Sequence, residues 1–231
     1  MHIATRTKHH GFTLIELSVV LIIIGLIVAG VLLGHDLISD AKLKKNIRDI
    51  QSFRTAYYTF KGKYNAIPGD MRSPNVFWSE LGSATGDGNG YISGNINSVT
   101  AEPILAWQEL SLAQMVNIPT PVTSAYVYGL APNSGVPTFW YYQDYTGYPI
   151  NRTGNSIHMS GTVGIGSAAS GLTVMQAYQI DTKLDDGSPE AGRIRGLPPV
   201  SGGLANDTCG GNVYALPGDG ELGCRLMYFI E

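Results

Sequence analysis

The feature that most constrains this chain is an apolar run from Phe12 to Leu33 that contains a single charged residue, Glu16. Its longer part, residues 17–33, reads LSVVLIIIGLIVAGVLL and carries no charge. With residues 12–15 in front, the run reaches the roughly 20 residues that a helix needs to cross a lipid bilayer. We therefore predict one membrane-spanning helix, with the remainder of the chain folded outside the bilayer.

Glu16 needs an explanation, because a carboxylate inside an apolar segment long enough to span a bilayer is energetically unfavourable unless it is neutralised or paired. The nearest cations, Arg6, Lys8 and Lys42, all lie outside the run. Two explanations stay open from this residue alone. Either Glu16 is protonated or sits at the membrane edge, or it pairs with a positive charge that the unprocessed chain does not display.

The segment before the run, MHIATRTKHHG, is short and positive like the start of a secretory signal. The apolar run is longer than a usual signal core, however, and no A-x-A sequence follows it, so ordinary signal-peptide cleavage is not predicted. Positive residues flank the run on both sides, and charge counting alone does not orient the helix.

Composition narrows the class of the remaining chain. With 29 glycines, 12 prolines and only 14% charged residues among 231, the sequence is typical of a loop-rich domain containing β-structure. The formal charge of −3 gives no general support for nucleic-acid binding. The sequence has no G-x-S-x-G, H-E-x-x-H or Walker pattern, and we do not predict an enzyme.

Helical periodicity continues beyond the apolar run. One face becomes apolar and the other polar, and Gly62 and the Pro68-Gly69-Asp70 stretch are predicted to end the helix. A helix from Phe12 to about Lys61 would be about 75 Å long. The predicted apolar face consists of Leu43, Ile47, Ile50, Arg54, Ala56, Tyr57 and Phe60.

Residues 62–231 alternate between helix-like and strand-like segments. Residues 101–116 and 172–184 are predicted helices, the second ending before DDG. Short stretches rich in aromatic and β-branched residues, bounded by Gly, Pro and Asn, predict the strands of a small sheet. These stretches are AYVYGL, TFWYYQDY, SIHMSGTVGI and RLMYFI.

The sequence GFTLIE at residues 11–16, after a basic leader and ahead of an apolar helix, resembles the processing signal of type IV pilins and of the pseudopilins of type II secretion systems. In this family a prepilin peptidase cuts after the glycine, here Gly11, and methylates the new N-terminal amine, here on Phe12. The resemblance implies that Glu16 of one subunit neutralises the Phe12 amine of a neighbour. The processed chain would carry a formal charge of −5, because Arg6 and Lys8 leave with the leader.

The resemblance also predicts the fold and the domain organisation. We expect an α+β, pilin-like protein in which a long N-terminal helix, transmembrane in its first half and amphipathic in its second, packs on a small antiparallel sheet. The expected parts are a leader (1–11), a transmembrane and filament-core helix (12–34), its amphipathic continuation (35–61) and an extracytoplasmic globular domain (62–231).

The expected function is that of a structural subunit, built into a type II secretion pseudopilus or a type IV pilus-like filament. The expected partners are other pilin-like subunits, the prepilin peptidase, an assembly platform protein with its ATPase, and the bacterial inner membrane. No nucleic acid is expected. The alternative is a membrane-tethered binding protein or enzyme that keeps its N-terminal anchor, for which Glu16 would be dispensable.

Cys209 and Cys224 lack the spacing of a metal site and could close one small loop. They resemble the C-terminal disulfide of many pilins. If the domain is extracytoplasmic, a bridge closing this loop would contribute roughly 3 kcal/mol. Two separate buried thiols are the alternative.

Two acidic segments are candidate calcium sites. TGDGNGYI at 85–92 places Asp87 and Asn89 in an oxygen-rich loop, although the EF-hand spacing is not met. A tight Gly-Asn-Gly turn explains the same residues without a metal, and Glu102 could contribute only through the fold. The second segment contains Asp181, Asp185 and Asp186, for which a helix end followed by a turn is the simpler account. No other cofactor is expected.

The aromatic run FWYYQDYTGY at 139–148 has two interpretations. It could form a stacking platform for a sugar or a partner protein. Alternation along a strand would instead place half of these side chains in the core. His158 lies in a predicted strand, and we expect it to have a structural role.

Overall fold

The structure is a computed structural model of the chain. It describes residues 13–94, 100–118, 138–144, 153–162, 168–169, 172–197, 209, 213–215 and 222–230. The chain forms two compact units, Met1–Lys42 and Leu43–Glu231. The predicted strand AYVYGL lies outside the described residues.

The first helix, α1, spans Leu14–Tyr64 and confirms the prediction of one continuous helix through both the apolar and the amphipathic segment. It ends three residues later than the predicted Lys61, because Gly62 is tolerated inside the helix. The left-handed conformation of Asn65 (φ 51°) follows the last helical residue, as at many helix C-termini.

In the second unit, α1 buries one side against the core. The predicted face is confirmed for its apolar residues, while Arg54 is only half-buried. Phe53, which was not predicted, joins this face and packs edge-to-face against Trp107 with ring centroids 4.9 Å apart. The buried residues of this face are Leu43, Ile50, Phe53, Ala56, Tyr57 and Phe60.

Helix α2 spans Glu102–Leu112 and confirms the predicted helix. Pro103 fits at its start because the first turn needs no amide donor. Every residue from Glu102 to Leu110 is buried, so α2 is a central helix enclosed on all sides rather than a surface helix. Two carboxylates, Glu102 and Glu109, are therefore taken into the interior.

Within the described residues, six strands form an antiparallel sheet in which β1, β2, β6 and β4 follow one another, while β3 pairs with β2 and β5 with β6. The small antiparallel sheet and the α+β class are as predicted. Three strands match predicted ones, whereas β3, β4 and β5 were not predicted; Leu172 and Thr173, predicted as the start of a helix, form β4 instead. The strands are β1 (Thr138–Asp144), β2 (Asn155–Thr162), β3 (Ala168–Ala169), β4 (Leu172–Thr173), β5 (Ile194–Leu197) and β6 (Leu222–Phe229).

Helix α3 spans Val174–Leu184 and ends before the DDG sequence, as predicted. Its start is fixed by a capping box in which the Thr173 hydroxyl accepts from the Gln176 amide and the Gln176 side chain accepts from the Thr173 amide. Ala177 and Ile180 of this helix join the main core. The sheet side of that core includes Ile157 and Met159 of β2 and Leu226 and Tyr228 of β6, at the spacing of two expected for one face.

Candidate processing and assembly site

The N-terminus of α1 is organised by a reciprocal contact between Thr13 and Glu16. The Glu16 Oε2 accepts from the Thr13 amide at 2.7 Å and from its hydroxyl at 2.9 Å. The Thr13 hydroxyl in turn accepts from the Glu16 amide at 3.3 Å. This is a capping box of the T-x-x-E type, which satisfies amide groups that have no partner inside the helix. The T-x-x-E spacing of Thr13 and Glu16 in the sequence would have predicted this capping box. The charge of Glu16 alone does not predict it.

The carboxylate of Glu16 is exposed, and no described cation forms an ion pair with it. The structure thus places Glu16 in the first turn of α1, and in the sequence it follows the predicted cleavage point at Gly11 by five residues. Gly11 and Phe12, the predicted processing and methylation residues, lie outside the described residues.

The apolar segment that follows is long and uncovered. Residues Leu14–Leu32 have a mean hydropathy of 2.8, and none of this segment is buried against the described part of the chain. By length and composition it is able to cross a membrane, although a signal sequence would meet the same criterion. Its side chains therefore present apolar surface that suits lipid or neighbouring helices.

Comparison with known families bears on the role of this apolar N-terminus. A family model described as the prokaryotic N-terminal methylation motif matches residues 6–32. This motif is the hallmark of the type IV pilin and pseudopilin family. Comparison with curated proteins and with solved structures found no significant match.

The pilin-type motif carries several consequences. It implies processing by a prepilin peptidase and assembly with other pilin subunits. It indicates a structural subunit rather than an enzyme. Together with the apolar helix, it is consistent with membrane anchoring. The processing motif predicted from GFTLIE is therefore confirmed, while the match ends at residue 32 and covers none of the globular unit, Leu43–Glu231.

Cys209 and Cys224 are joined in a disulfide. Their Cα atoms are 5.6 Å apart, within the ordinary range for such a bond, and both residues are fully buried. Cys224 lies on β6 opposite Leu172 of β4, so the bridge ties Cys209 to a strand that pairs with β2, β4 and β5. The pairing agrees with the prediction from the family resemblance.

The acidic loop near Asp87 is brought against α2 by the fold. The carboxylates of Asp70, Asp87 and Glu102 lie within 4.8 Å of one another, the first and third of them buried. Asp70 was not predicted as part of this group, and Glu102 was expected to join it only through the tertiary fold. The fold brings the Glu102 carboxylate into the group.

Backbone amides fill much of the hydrogen-bonding capacity of these carboxylates. Asp70 accepts from Gly88 at 2.6 Å, from Asn89 at 3.0 Å and from Gly90 at 2.8 Å. Glu102 accepts from Asp87 at 3.0 Å and from Ser93 at 2.7 Å. The carboxylates therefore anchor this loop.

Asn89 acts within that turn. Its side-chain nitrogen donates to the Asp87 carboxylate at 2.8 Å, and its side-chain oxygen accepts from the Tyr91 amide at 2.7 Å. Calcium binding by Asp87 and Asn89 stays a prediction.

Glu109 is the most perturbed carboxyl group of this region, and nothing in the sequence singles it out. It is fully buried, its Oε2 accepts from the Gly69 amide at 2.7 Å, and its Oε1 has no hydrogen-bond partner among the described residues. Burial raises its pKa to about 8, and the nearby charges of Asp70 and Glu102 act in the same direction. Burial likewise raises the pKa of Asp70.

The second acidic cluster closes the turn after α3. Asp181 is fully buried, accepts from the Tyr214 hydroxyl at 2.8 Å and from the Gly187 amide at 3.2 Å, and has a pKa raised by burial to about 6. Asp185 accepts from the Arg193 and Ile194 amides. The expected account of a helix end with a turn describes these contacts.

His158 lies inside the sheet, as expected for a structural histidine. It is buried on β2, and its Nε2 lies 2.8 Å from the Ser156 hydroxyl. Burial lowers its pKa to about 3, so the ring is neutral in the folded protein. The first part of the aromatic run forms β1, while residues 145–148 lie outside the described residues.

Proposed function

We propose that this protein is a structural subunit of a type II secretion pseudopilus or of a type IV pilus-like filament, made as a precursor and cleaved after Gly11. The observation that carries the proposal is the combination of the methylation motif at residues 6–32 with an uncovered apolar helix, Leu14–Leu32. A helix of this kind can anchor the subunit in the inner membrane and later pack among the helices of neighbouring subunits.

Cleavage would create a positive charge where the chain now has none. The new amine on Phe12, methylated by the same peptidase, would lie one residue before the capping box of Thr13 and Glu16. In a low-dielectric filament core, pairing this amine with Glu16 of a neighbour is strongly preferred to two isolated charges. Such a pair would fix the axial register of the subunits more than their net stability.

The globular unit would be displayed on the outer side of the inner membrane, in the periplasm or at the cell surface. The Cys209–Cys224 disulfide supports this side, because disulfides persist in oxidising compartments. The partners would be other pilin-like subunits, the prepilin peptidase and an assembly platform protein driven by an ATPase. Between the two systems we favour a pseudopilin or minor pilin, with a type IV pilus subunit as the alternative.

The first experiment is mass spectrometry of the N-terminal peptide from native membranes, with and without the prepilin peptidase. We expect a chain that begins at methylated Phe12 only when the peptidase is present. An intact Met1, or a cut at another position, would contradict the proposal and favour a tethered binding protein or enzyme.

The second experiment separates the two roles of Glu16. Glu16→Ala removes both the charge and the helix cap, whereas Glu16→Gln removes the charge and keeps a side chain that can cap the helix. Thr13→Val is the matched control, because it removes the hydroxyl and keeps the carboxylate. Each variant is scored for membrane retention and for recovery in the assembled fraction.

If Glu16 pairs between subunits, both Glu16 variants stay in the membrane but are lost from the filament, while Thr13→Val assembles. If Glu16 serves only as a cap, Glu16→Gln assembles normally. That second pattern would refute the charge-pair account.

A further inference from the structure

Three carboxylates meet where the loop at Asp87 lies against the start of α2. One oxygen each of Asp70, Asp87 and Glu102 lies within 4.8 Å of the other two, and we call these three residues the carboxylate cluster. A Ca²⁺ ion binds its oxygen ligands at about 2.3–2.6 Å, so ligands on opposite sides of the ion are about 5 Å apart. The spacing of the carboxylate cluster therefore allows all three residues to contact one ion.

The negative charge of the carboxylate cluster is not balanced by an ion pair. Asp70 and Glu102 are buried, and no described cation forms an ion pair with any of the three carboxylates. The Arg72 side chain lies against the same loop at Gly88, yet it too forms no ion pair there. Carboxylates held together away from water are unfavourable unless a cation or a proton neutralises them. The cluster therefore favours the binding of a cation.

The hydrogen bonds of these carboxylates leave positions for an ion. Each carboxylate oxygen can accept two hydrogen bonds. Among the described residues, Asp70 Oδ2 accepts only from the Gly90 amide at 2.8 Å. Glu102 Oε1 accepts only from the Asp87 amide at 3.0 Å. The two oxygens of Asp87 each accept one bond from Asn89. Every member of the cluster can therefore bind an ion while it keeps its contacts to the loop.

Glu109 is an independent observation that points to the same ligand. Its side chain is fully buried, and its Oε1 has no hydrogen-bond partner among the described residues. Buried acceptors in proteins are normally satisfied by a donor group, a water or an ion. Glu109 therefore offers one buried oxygen for such a contact.

The Glu109 side chain is directed toward the carboxylate cluster. It lies two helical turns after Glu102 and so on the same face of α2. Its Oε2 accepts from the amide of Gly69, the residue before Asp70. Besides burial, the charges of Asp70 and Glu102 raise the pKa of Glu109, so these groups lie close enough to interact. The free Oε1 is therefore placed to accept from a water on an ion bound at the cluster.

The carboxylate cluster can be reached from solvent. Asp87 is exposed, and a cavity of about 340 Å³ is lined by Asp70 together with Gly88 and Gly90 of the loop. Calcium takes six to eight oxygen ligands, of which waters supply some. The cavity thus gives an ion an entry path and gives its waters room.

The acidic group at the end of α3 lacks these features. Asp181 accepts from Tyr214 with one oxygen and from Gly187 with the other. The exposed side chains of Lys183 and Arg193 flank this group. None of its carboxylate oxygens is buried without a partner among the described residues. It is therefore the weaker candidate for a cation.

From these observations we propose that the carboxylate cluster binds one Ca²⁺ ion, with Asp70, Asp87 and Glu102 as ligands and with Glu109 accepting from a water on the ion. Mg²⁺ suits the cluster less, because it requires near-octahedral geometry at about 2.0–2.1 Å and backbone amides fix these carboxylates. The ion fastens the loop at Asp87 to α2. The site lies within the globular unit and does not depend on filament assembly.

The direct test is calorimetric titration of the full chain in detergent with CaCl₂ alone, after treatment with a chelator. We expect one Ca²⁺ per chain, with a Kd below about 1 mM, the range of extracellular calcium modules. The thermal unfolding midpoint should rise with Ca²⁺ and much less with equal Mg²⁺. No binding heat and an unchanged midpoint at Ca²⁺ about tenfold above that Kd would overturn the proposal. An equal rise with Mg²⁺ would overturn the assignment to calcium.

Variants locate the ion. Asp87→Asn and Glu102→Gln keep a side-chain oxygen but remove a charge, and each should weaken Ca²⁺ binding about tenfold or more. Asp186→Asn is the matched control, because it removes an exposed carboxylate from the acidic group after α3 and should leave the affinity unchanged. Because Asp87 is exposed, Asp87→Asn should keep the wild-type unfolding midpoint in chelator and lose the rise with Ca²⁺. Wild-type affinity in both cluster variants, or weakening by Asp186→Asn instead, would refute the site.

Discussion

Replacing Glu109 by glutamine should make the protein more stable at alkaline pH and leave it unchanged at acidic pH. In the folded protein this carboxyl is fully buried on α2, with one oxygen held by the Gly69 amide and the other without a described partner. Glutamine keeps an oxygen for the Gly69 amide and resembles the protonated acid in shape, but it cannot ionise.

The magnitude follows from the pKa of Glu109, which rises from an ordinary 4.5 to about 8 on folding. At 1.36 kcal/mol per pH unit, this amounts to about 5 kcal/mol of folding free energy. The pKa of Glu109 is higher in the folded protein than in the unfolded chain. The folding free energy contributed by the neutral Glu109 carboxyl is therefore fully present below pH 4.5 and is lost as the pH rises to about 8. The Glu109→Gln variant lacks that loss.

The assay is chemical denaturation of the full chain in detergent at several pH values between 4.5 and 9, followed by tryptophan fluorescence. Trp107, buried on the same helix, is a suitable reporter. Glu80→Gln is the control, since it removes an exposed carboxyl group. We expect the difference in unfolding free energy between Glu109→Gln and wild type to grow with pH. A constant difference would refute the argument that Glu109 is buried as a neutral acid.

Two further predictions concern packing and a buried hydrogen bond, and both are measured by denaturation. Gly62→Ala should stabilise the protein by about 0.5–1 kcal/mol, because Gly62 is helical and has open space around it. Gly86→Ala should destabilise it by about 3 kcal/mol or more, because the new Cβ would overlap the Asp70 backbone. Equal changes in unfolding free energy for the two variants would contradict this. Tyr214→Phe should cost about 1.5–3 kcal/mol by removing the hydroxyl that donates to Asp181. Because that bond favours the ionised carboxylate, whose pKa is about 6, the loss should be larger at pH 7 than at pH 5, and a loss independent of pH would count against it.

The helical part of the fold could be predicted because its signal is local and periodic. Residues such as Ile50 and Tyr57 recur on one side of α1 at the helical repeat, and the DDG sequence ends α3 by turn chemistry that reads directly from the chain. The end of α1 was placed too early at Lys61. An exposed glycine costs a helix only about 1 kcal/mol, so Gly62 did not stop it.

The carboxylates near Asp87 could be predicted only in part, because their neighbours are set by tertiary contacts. Nothing local to Pro68-Gly69-Asp70 indicates that Asp70 will hold three amides of a loop about twenty residues away. The burial of Glu109 was even harder to predict from the sequence, because acidic residues on helices are usually exposed to solvent. Its burial follows from α2 being enclosed on all sides, which the apolar count of that helix does not show.

Glu16 shows how one residue can satisfy two demands at different stages. In the single chain its carboxylate is already occupied by the Thr13 amide and hydroxyl, so it does not need a cation to be stable at the start of the helix. In the proposed filament, the same carboxylate faces an amine that only cleavage supplies. Pairing between subunits then has to compete with a local cap, which limits its net stabilisation and makes geometric selection its main effect. On this argument Thr13→Val, which weakens the cap alone, should assemble at least as well as wild type, whereas poorer assembly would show that the cap itself positions Glu16 for its neighbour.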